Sequence, residues 1–210
     1  MTSIPGPDPL VIRSLEFLGG MASADGWRPE TDLPEIAFAG RSNVGKSSLL
    51  NRLVRRKAIA RVSRTPGRTR EINFFKVNEQ FILADLPGYG YARVSKARKA
   101  DWRPLIEDYL RKTPRLAGVV QLLDIRREPS EDDMTMLDFL AELEVPTIVV
   151  LTKSDKLSRI AAAERAEAIM RGLALERDQT IPFSSFTGEG RDDLALALTG
   201  LLEAEGGETV

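Results

Sequence analysis

The eight residues GRSNVGKS, from Gly40 to Ser47, predict a phosphate-binding loop. They fit the pattern G-x-x-x-x-G-K-[ST] and stand between the apolar run EIAFAG and the helical pattern KSSLLNRLV. Two glycines let the backbone wrap around phosphate oxygens, and successive amides at a helix N-terminus form an anion cradle. Lys46 would place its ammonium on the β- and γ-phosphates, and Ser47 would give a hydroxyl to Mg²⁺. The alternative is a glycine-rich turn with an exposed lysine.

A second motif, FILADLPG, follows about 40 residues after this loop. Its apolar run predicts a strand that delivers Asp85 to the carboxyl edge of a sheet, where open α/β sheets bind ligands. A carboxylate there can hold Mg²⁺ through water, and Gly88 can offer its amide to the γ-phosphate. Tyr89 stands where many nucleotide-sensing loops carry a water-orienting glutamine, and it is a poor base because its unperturbed pKa is about 10.

The third motif, VVLTKSD, predicts a pocket for guanine. The Asp155 carboxylate can accept two parallel hydrogen bonds from the N1–H and the 2-amino group, and adenine lacks that amino group. The stem of Lys153 can lie over the base. In PFSS, after the next predicted strand, a backbone amide can meet the guanine O6.

Composition removes several kinds of chemistry. The 210 residues include no cysteine and no histidine, which excludes disulfides, thiolate or imidazole metal sites and the Ser-His-Asp triad. The sequence contains no run of about 18 apolar residues, so no membrane span is predicted. The first ten residues lack a secretory pattern, so a cytoplasmic protein is expected.

Charge is unevenly placed although the net charge is −1. Eight basic residues and no acidic one lie between Arg52 and Arg70, and seven acidic residues and no basic one lie between Glu128 and Glu144. More basic residues follow in RVSKARKADWR, residues 93–103. Composition leaves two interpretations open, namely two solvated faces or a basic surface for a polyanion such as RNA.

Strand and helix patterns alternate after residue 70, which predicts an α/β fold. We expect a mostly parallel six-stranded sheet with helices on both faces and one antiparallel edge pairing, a hairpin around the turn NE. Residues 1–33 are predicted to form a partly flexible arm with one apolar turn at VIRSLEFL. Residues 34–204 are predicted to form the domain, and residues 205–210 a frayed tail.

Taken together, the motifs resemble the EngB family of bacterial GTPases, within the translation-factor-like P-loop GTPases. The resemblance rests on GRSNVGKSSLLN, TPGRTREINFF, DLPGYGYA, TKSDKL and FSS, and it runs from about Pro34 to the last helix. It implies the P-loop GTPase fold and a GTPase activity that converts GTP to GDP and phosphate. Because Tyr89 is a poor base and the chain has no histidine, we expect slow hydrolysis that ribosomal particles stimulate. The resemblance also implies a role in assembly of the large ribosomal subunit. We expect a monomer with a link to cell division, and the basic runs predict contact with rRNA through residues 52–70 and 93–103.

The resemblance extends the site. GRTRE, residues 67–71, matches the first switch, and Thr69, which we prefer to Thr65, matches the threonine that closes over Mg²⁺. Thr152 departs from the commoner asparagine, which indicates weaker base contacts. Asn43 matches an asparagine that helps to hold K⁺ in some related GTPases. The predicted nucleotide-binding residues are Gly40, Arg41, Ser42, Asn43, Val44, Gly45, Lys46, Ser47, Gly67, Arg68, Thr69, Arg70, Glu71, Asp85, Leu86, Pro87, Gly88, Thr152, Lys153, Ser154, Asp155, Phe183, Ser184 and Ser185. The predicted catalytic residues are Lys46, Thr69 and Gly88, and the predicted metal ligands are Ser47, Thr69 and, through water, Asp85.

Two alternatives to a GTP-hydrolysing switch stay open at this point. One is an ATP-using P-loop enzyme such as a kinase, although the guanine motif argues against it. The other is a nucleotide-binding RNA scaffold without significant hydrolysis.

Overall fold

A seven-stranded sheet runs through the part of the chain that the computed structural model describes, residues 8–55, 71–90 and 103–207. The strands follow one another across the sheet in the order β1-β3-β4-β2-β5-β6-β7. The pairings β4–β2, β2–β5, β5–β6 and β6–β7 are parallel, and β1–β3 and β3–β4 are antiparallel. The strands are β1 Leu15–Met21, β2 Glu35–Gly40, β3 Ile72–Val77, β4 Phe81–Asp85, β5 Leu116–Asp124, β6 Thr147–Thr152 and β7 Thr180–Phe183.

Strand β1 corrects the predicted six-stranded sheet with a single antiparallel pairing. Part of the sequence that predicted an apolar turn in the arm instead belongs to β1, which pairs antiparallel with β3 with one shift of register between Phe17 and Gly19. Phe17 lies against Phe75 with 5.3 Å between ring centroids, and Met21 is fully buried. The adjacent Gly19 and Gly20 favoured a turn in the sequence. The partner strand β3 lies more than 50 residues away, so no local pattern shows the pairing.

The β3–β4 hairpin holds the chain that enters β1. Asn78 and Glu79 both have positive φ, 54° and 56°, as a type I′ turn requires. The Asn78 amide group accepts hydrogen bonds from the Arg13 and Ser14 amides and donates one to the Val11 carbonyl over 2.7 Å. The hairpin predicted around NE is therefore present, and its turn also fixes residues 11–14.

Helices cover both faces of the sheet, as predicted. Helices α1 and α5 lie on one face and α2, α3 and α4 on the other. Among the described residues, no helix is long and apolar enough to cross a membrane. The bounds are α1 Lys46–Leu53, α2 Arg103–Lys112, α3 Glu131–Glu142, α4 Arg159–Gly172 and α5 Arg191–Gly207, and a 3-10 turn spans Ser154–Lys156.

Local sequence explains the helix ends. The Ser130 hydroxyl caps α3 by accepting a hydrogen bond from the Asp133 amide, and the Asp133 carboxylate accepts one from the Ser130 amide, as in a capping box. Pro104 occupies the first turn of the described part of α2, where its missing N–H costs little. Helix α5 continues to Gly207, so the first half of the predicted frayed tail is helical, and residues 208–210 lie outside the described residues.

Alternate residues of the central strand β2 enter two different hydrophobic layers. Ile36 and Phe38 pack with α1 and α5, whereas Ala37 and Ala39 pack with α2 and α3. All four side chains are fully buried, as expected for a parallel strand covered on both sides. Because both faces of β2 are buried, the position of this strand within the sheet is fixed. Its last residue, Gly40, pairs with Leu122 near the end of β5.

Removing the Phe17 ring tests whether β1 belongs to the stable fold. Phe17→Ala should lower the free energy of unfolding by about 1–3 kcal/mol, because the ring packs against Phe75 but is only half-buried, and removal of a fully buried ring costs about 3–5 kcal/mol. Urea unfolding would measure the change. Ile160→Ala, at a side chain that is 73% exposed, is the control and should change stability by less than about 0.5 kcal/mol. Equal, negligible effects would mean that β1 adds nothing to stability.

Candidate functional site

The phosphate loop, Gly40–Ser47, joins β2 to α1 as the sequence predicted. Gly45 has φ 112°, a left-handed conformation that favours glycine, and it precedes the first residue of α1. A Cβ on Gly40 would lie 3.0–3.1 Å from Val44 and Leu122, so glycine also permits the tight return of the loop. The Val44 amide donates to the Arg41 carbonyl over 3.0 Å, which closes the turn at the start of the helix.

Lys46 and Asp85, which are 39 residues apart in sequence, meet at the edge of the sheet. The Lys46 ammonium contacts the Asp85 carboxylate and donates to the Leu86 carbonyl over 2.6 Å. The Asp85 side chain is only 6% exposed, so this pair lies in a largely desolvated position. The predicted phosphate-binding lysine and the predicted metal-binding carboxylate thus share one corner of the site.

The DLPG loop, residues 85–90, runs directly against the phosphate loop. The Ser42 amide donates to the Tyr89 carbonyl over 2.8 Å, and the Ser42 hydroxyl donates to the Gly88 carbonyl over 3.1 Å. A Cβ on Gly88 would stand 3.1–3.2 Å from Oγ, Cα and N of Ser42. Close contact with Ser42 therefore favours glycine at this position.

Tyr89 points away from the phosphate loop into the core, where its ring is 1% exposed. Its hydroxyl donates to Asp133 Oδ1 over 2.9 Å and accepts a hydrogen bond from the Gln121 amide. Burial, together with the nearby Asp133 charge, raises the pKa of Tyr89 well above 10, so the phenol keeps its proton. The sequence indicated that Tyr89 would be a poor base, and the structure gives a stronger reason for this.

The base loop, Thr152–Asp155, is hydrogen-bonded to the backbone of the phosphate loop. The Thr152 hydroxyl lies 2.7 Å from the Val44 carbonyl and 3.1 Å from the Leu123 carbonyl, either of which can accept its proton. Lys153 has a positive φ of 66°, and its ammonium donates to the Asn43 carbonyl and to Asp124, both over 2.8 Å. The predicted base residues therefore also hold the phosphate loop in shape.

Asp155 is oriented by its neighbours. The Ser184 hydroxyl donates to Asp155 Oδ1 over 2.8 Å, and the Lys156 ammonium lies 3.1 Å from Oδ2. The Ser184 hydrogen bond and the Lys156 charge outweigh partial burial and lower the pKa of Asp155. The carboxylate is thus ionised at neutral pH, as an acceptor of two guanine hydrogen bonds must be.

Ser184 organises the loop after β7, where the sequence predicted a contact to guanine O6. Its hydroxyl accepts from the Phe186 and Thr187 amides over 3.2 and 3.0 Å, and its own amide donates to the Glu189 carbonyl. The Ser184 amide is therefore occupied within the loop, which leaves the Ser185 amide as the candidate for the base. Phe183 is fully buried beneath both residues.

Four further residues shape the site, and sequence motifs did not indicate them. Burial alone would raise the pKa of Asp124, at the end of β5, but hydrogen bonds from Arg126 and Lys153 together outweigh it and lower the pKa. Glu189 accepts from the Ser154 hydroxyl over 2.8 Å. Gln121 and Asp133 hold Tyr89. A polar residue inside the apolar strand β5 was the available signal for Gln121.

Part of the predicted first switch lies outside the described residues. Gly67, Arg68, Thr69 and Arg70 belong to that part, and so does the competing Thr65. Glu71 is described, and its carboxylate lies against Gly20 of β1. The structure thus places Glu71 beside the outer strand of the sheet.

The oxygen donors present fit Mg²⁺. The described residues contain no group of three or more Asp, Glu, His or Cys that could hold a metal ion by themselves. Ser47 and Asp85 offer one hydroxyl and one carboxylate, and Mg²⁺ commonly binds through one or two protein oxygens, phosphates and retained waters. A metal bound here would therefore depend on a nucleotide for several of its ligands.

Comparison with known proteins decides the family. Residues 35–153 match the family described as "50S ribosome-binding GTPase". The "Probable GTP-binding protein EngB" of Gemmatimonas aurantiaca is 67% identical over 193 residues, which cover 92% of this chain and 95% of that protein. The protein of the same description from Citrifermentans bemidjiense is 49% identical over 95% of this chain and 93% of its own length. This chain belongs to the EngB family of GTP-binding proteins. It is a GTPase, and the ATP-using alternative is set aside.

Solved structures agree with this assignment. The crystal structure of a probable EngB superposes with a TM-score of 0.69 at 26% identity, over 81% of this chain and 99% of that one. Aquifex aeolicus Era, bound to GDP and AlF4⁻, shares the fold with a TM-score of 0.60 at 23% identity, over 82% of this chain and 57% of that one. The predicted P-loop GTPase fold is therefore confirmed.

Asp155→Asn tests the guanine pocket. It should lower GDP affinity by about ten- to a hundredfold, because a hydrogen bond to a charged group contributes about 1.5–3 kcal/mol. Affinity for xanthosine diphosphate should rise, since the amide can donate to the 2-oxo group of xanthine. Calorimetric titration with both nucleotides would measure the exchange, and Asp178→Asn on an exposed loop is the control. Unchanged GDP affinity would contradict the role of Asp155.

Proposed function

We propose that this GTPase is a switch that hydrolyses GTP slowly by itself and is stimulated by the large ribosomal subunit or its precursor, in whose assembly it acts. The observation that carries the proposal is the position of Tyr89. The residue after Gly88 is turned into the core, with its hydroxyl held by Asp133 and Gln121. From this position the Tyr89 side chain cannot orient an attacking water, and the sequence has no histidine to replace it.

A DLPG loop that senses phosphate, but in which Tyr89 cannot act as a general base, suits a GTPase whose hydrolysis is stimulated by a partner. The Gly88 amide would report the γ-phosphate, and Thr69 would close over the metal. A ribosomal particle would then supply or order the missing group, as activating partners do for other GTPases. We place the protein in the cytoplasm as a monomer, and a link to cell division would follow from a defect in ribosome supply.

The phosphate loop and the DLPG loop would hold Mg²⁺ together. Ser47 would contribute its hydroxyl and Asp85 would act through water, and the bound ion would offset charge that develops on the phosphates. In the described structure Asp85 pairs with Lys46, so binding of a nucleotide would have to draw the lysine towards the phosphates. Asn43 is exposed at the edge of the phosphate loop, where K⁺ could reach its side chain.

Contact with rRNA is proposed through the basic residues 52–70 and 93–103. Three of them are described. The Arg55 side chain is 63% exposed, and its guanidinium lies 3.3 Å from Asp8. Arg52 donates to the Thr187 carbonyl, and Arg103 pairs with Glu107 on the exposed side of α2. These surface pairs contribute little to stability, so an RNA phosphate could compete for the same guanidinium groups.

Turnover of the purified protein tests the proposal directly. GTP hydrolysis should be slow in Na⁺ and should accelerate at least tenfold when large ribosomal subunits are added, because a partner-supplied group is worth several orders of magnitude in related systems. Parallel assays in K⁺ would test the role of Asn43, with Asn43→Ala as the matched variant. Small ribosomal subunits are the specificity control. Fast hydrolysis in Na⁺ without subunits would show that the chain carries a complete catalytic apparatus.

The basic surface has its own test. Replacing Arg55, Arg56 and Lys57 by glutamine should weaken binding to large subunits and reduce the slope of log affinity against log salt by about one for each phosphate that is no longer neutralised. GTP affinity should stay nearly unchanged. A variant with Arg159, Arg171 and Arg177 replaced by glutamine removes the same charge elsewhere and should keep the parental slope. An identical slope in both variants would favour a solvated basic face.

A further inference from the structure

Tyr89 belongs to the DLPG loop and makes hydrogen bonds to three other parts of the molecule, namely the phosphate loop, α3 and β5. Its backbone belongs to the DLPG loop, and its carbonyl receives the Ser42 amide of the phosphate loop. Its side chain crosses the interior to Asp133 in the first turn of α3, and Gln121 of β5 donates to the same hydroxyl. One residue thus fixes the position of the DLPG loop from two sides.

The far end of this link is itself anchored. Asp133 Oδ2 accepts hydrogen bonds from the Ser130 amide over 2.9 Å and the Ser130 hydroxyl over 2.7 Å, so the carboxylate that holds Tyr89 also caps α3. Asp133 is 5% exposed and Gln121 is fully buried. Hydrogen bonds between buried groups are expensive to break because the polar partners cannot turn to water. The hydroxyl therefore has one well-defined position.

Packing alone does not require a tyrosine at this place. A phenylalanine would fill the same apolar layer between the sheet and helices α2 and α3 without bringing a polar atom into the core. The hydroxyl adds a directional constraint, because its hydrogen bonds permit only one orientation of the ring. They therefore also restrict the backbone of Tyr89. The residue before Tyr89 is Gly88, which stands within van der Waals contact of Ser42.

We propose that Tyr89 is a positioning residue, whose buried hydroxyl bonds to Asp133 and Gln121 hold the Gly88 peptide against the phosphate loop and thereby let the site distinguish GTP from GDP. This inference rests on the proposed function, in which the Gly88 amide receives the γ-phosphate. GTP needs that amide in place when it binds. GDP ends at the β-phosphate, which the phosphate loop holds without the DLPG loop.

Loss of the hydroxyl should therefore act on one nucleotide more than on the other. In Tyr89→Phe the ring stays buried, but the Gly88 peptide can sample other positions, and GTP must select the competent one. We expect affinity for the non-hydrolysable analogue β,γ-imido-GTP to fall about five- to tenfold relative to GDP, within the range typical of coupling between sites. GDP affinity should change less than about twofold.

The chain contains a matched control for the same atomic change. Tyr109 is also fully buried, donates its hydroxyl to the Glu35 carboxylate over 2.8 Å, and has its pKa raised by burial. It lies on α2 and pairs with the start of β2, at the opposite end of that strand from the phosphate loop. Tyr109→Phe should lower stability by a similar amount and leave the ratio of the two nucleotide affinities unchanged.

Calorimetric titration of the full chain with β,γ-imido-GTP and with GDP, in Mg²⁺, decides the matter. A lowered ratio in Tyr89→Phe together with a parental ratio in Tyr109→Phe supports the proposal. A parental ratio in folded Tyr89→Phe, or an equal fall in Tyr109→Phe, overturns it. Gly88→Ala separates this outcome from failure of the proposed function, because its Cβ must push the DLPG loop away from Ser42. If Gly88→Ala also keeps the parental ratio, the sensing role of Gly88 fails and the inference fails with it.

A second variant covers the case in which Tyr89→Phe does not fold. In Asp133→Asn the amide oxygen would turn to the two Ser130 donors, and the NH₂ group would face Tyr89 and donate to its hydroxyl. The phenol would then lose its acceptor, and the ratio should fall in the same direction as in Tyr89→Phe. A folded Asp133→Asn protein with the parental ratio would overturn the proposal by itself.

Discussion

Close contact between two loops is the constraint on which the rest of this structure depends. A Cβ on Gly88 would stand 3.1–3.2 Å from Ser42, and a Cβ on Gly40 would stand 3.0–3.1 Å from Val44 and Leu122, so glycine lets both loops approach without displacing these neighbours. Both contacts require β2 and β4 to be neighbours that end at matching heights, which their parallel register provides by pairing Phe38 with Asp85. The double burial of β2 then fixes the height itself. A displacement of β2 or β4 would separate Lys46 from Asp85, so this ion pair depends on the packing of the hydrophobic core.

Hydrogen bonds join the base loop and the phosphate loop, so the two loops hold each other in position. Thr152 and Lys153 bond to carbonyl groups of the phosphate loop, and Asp124 holds Lys153 in that position. Thr152 was expected to mean weaker base contacts because asparagine is commoner there. Its hydroxyl instead reaches the Val44 carbonyl, so the residue serves the phosphate loop as well as the pocket. Contacts to the base and to the phosphates should therefore support each other, because each orders atoms that the other uses.

The sequence predicted what is local and missed what depends on distant partners. Phosphate loop, strand-end carboxylate and base motif are short patterns in which each residue type follows from the chemistry, and the structure brings Lys46, Asp85 and the base loop to one edge of the sheet. β1 was missed because its pairing with β3 is an interaction across more than 50 residues, and Gly19 and Gly20 locally favour a turn. Asp133 and Gln121 were missed because their partner is a single tyrosine, and no spacing rule connects three residues on a loop, a strand and a helix.

The inward turn of Tyr89 links the anchoring of the DLPG loop to its limited chemistry. A side chain that donates to buried Asp133 cannot also reach a water at the γ-phosphate, and its raised pKa prevents it from acting as a base. In the role that we propose, the same bond holds Gly88 close to the phosphate loop, where its amide would receive the γ-phosphate. Sensing and hydrolysis thus make opposite demands on the residue after the glycine, because sensing needs a fixed backbone and hydrolysis needs a side chain in the site. With no histidine elsewhere in the chain to act as a base, the anchored Tyr89 supports the function that we propose, in which the loop would detect GTP and an outside group would be needed to hydrolyse it quickly.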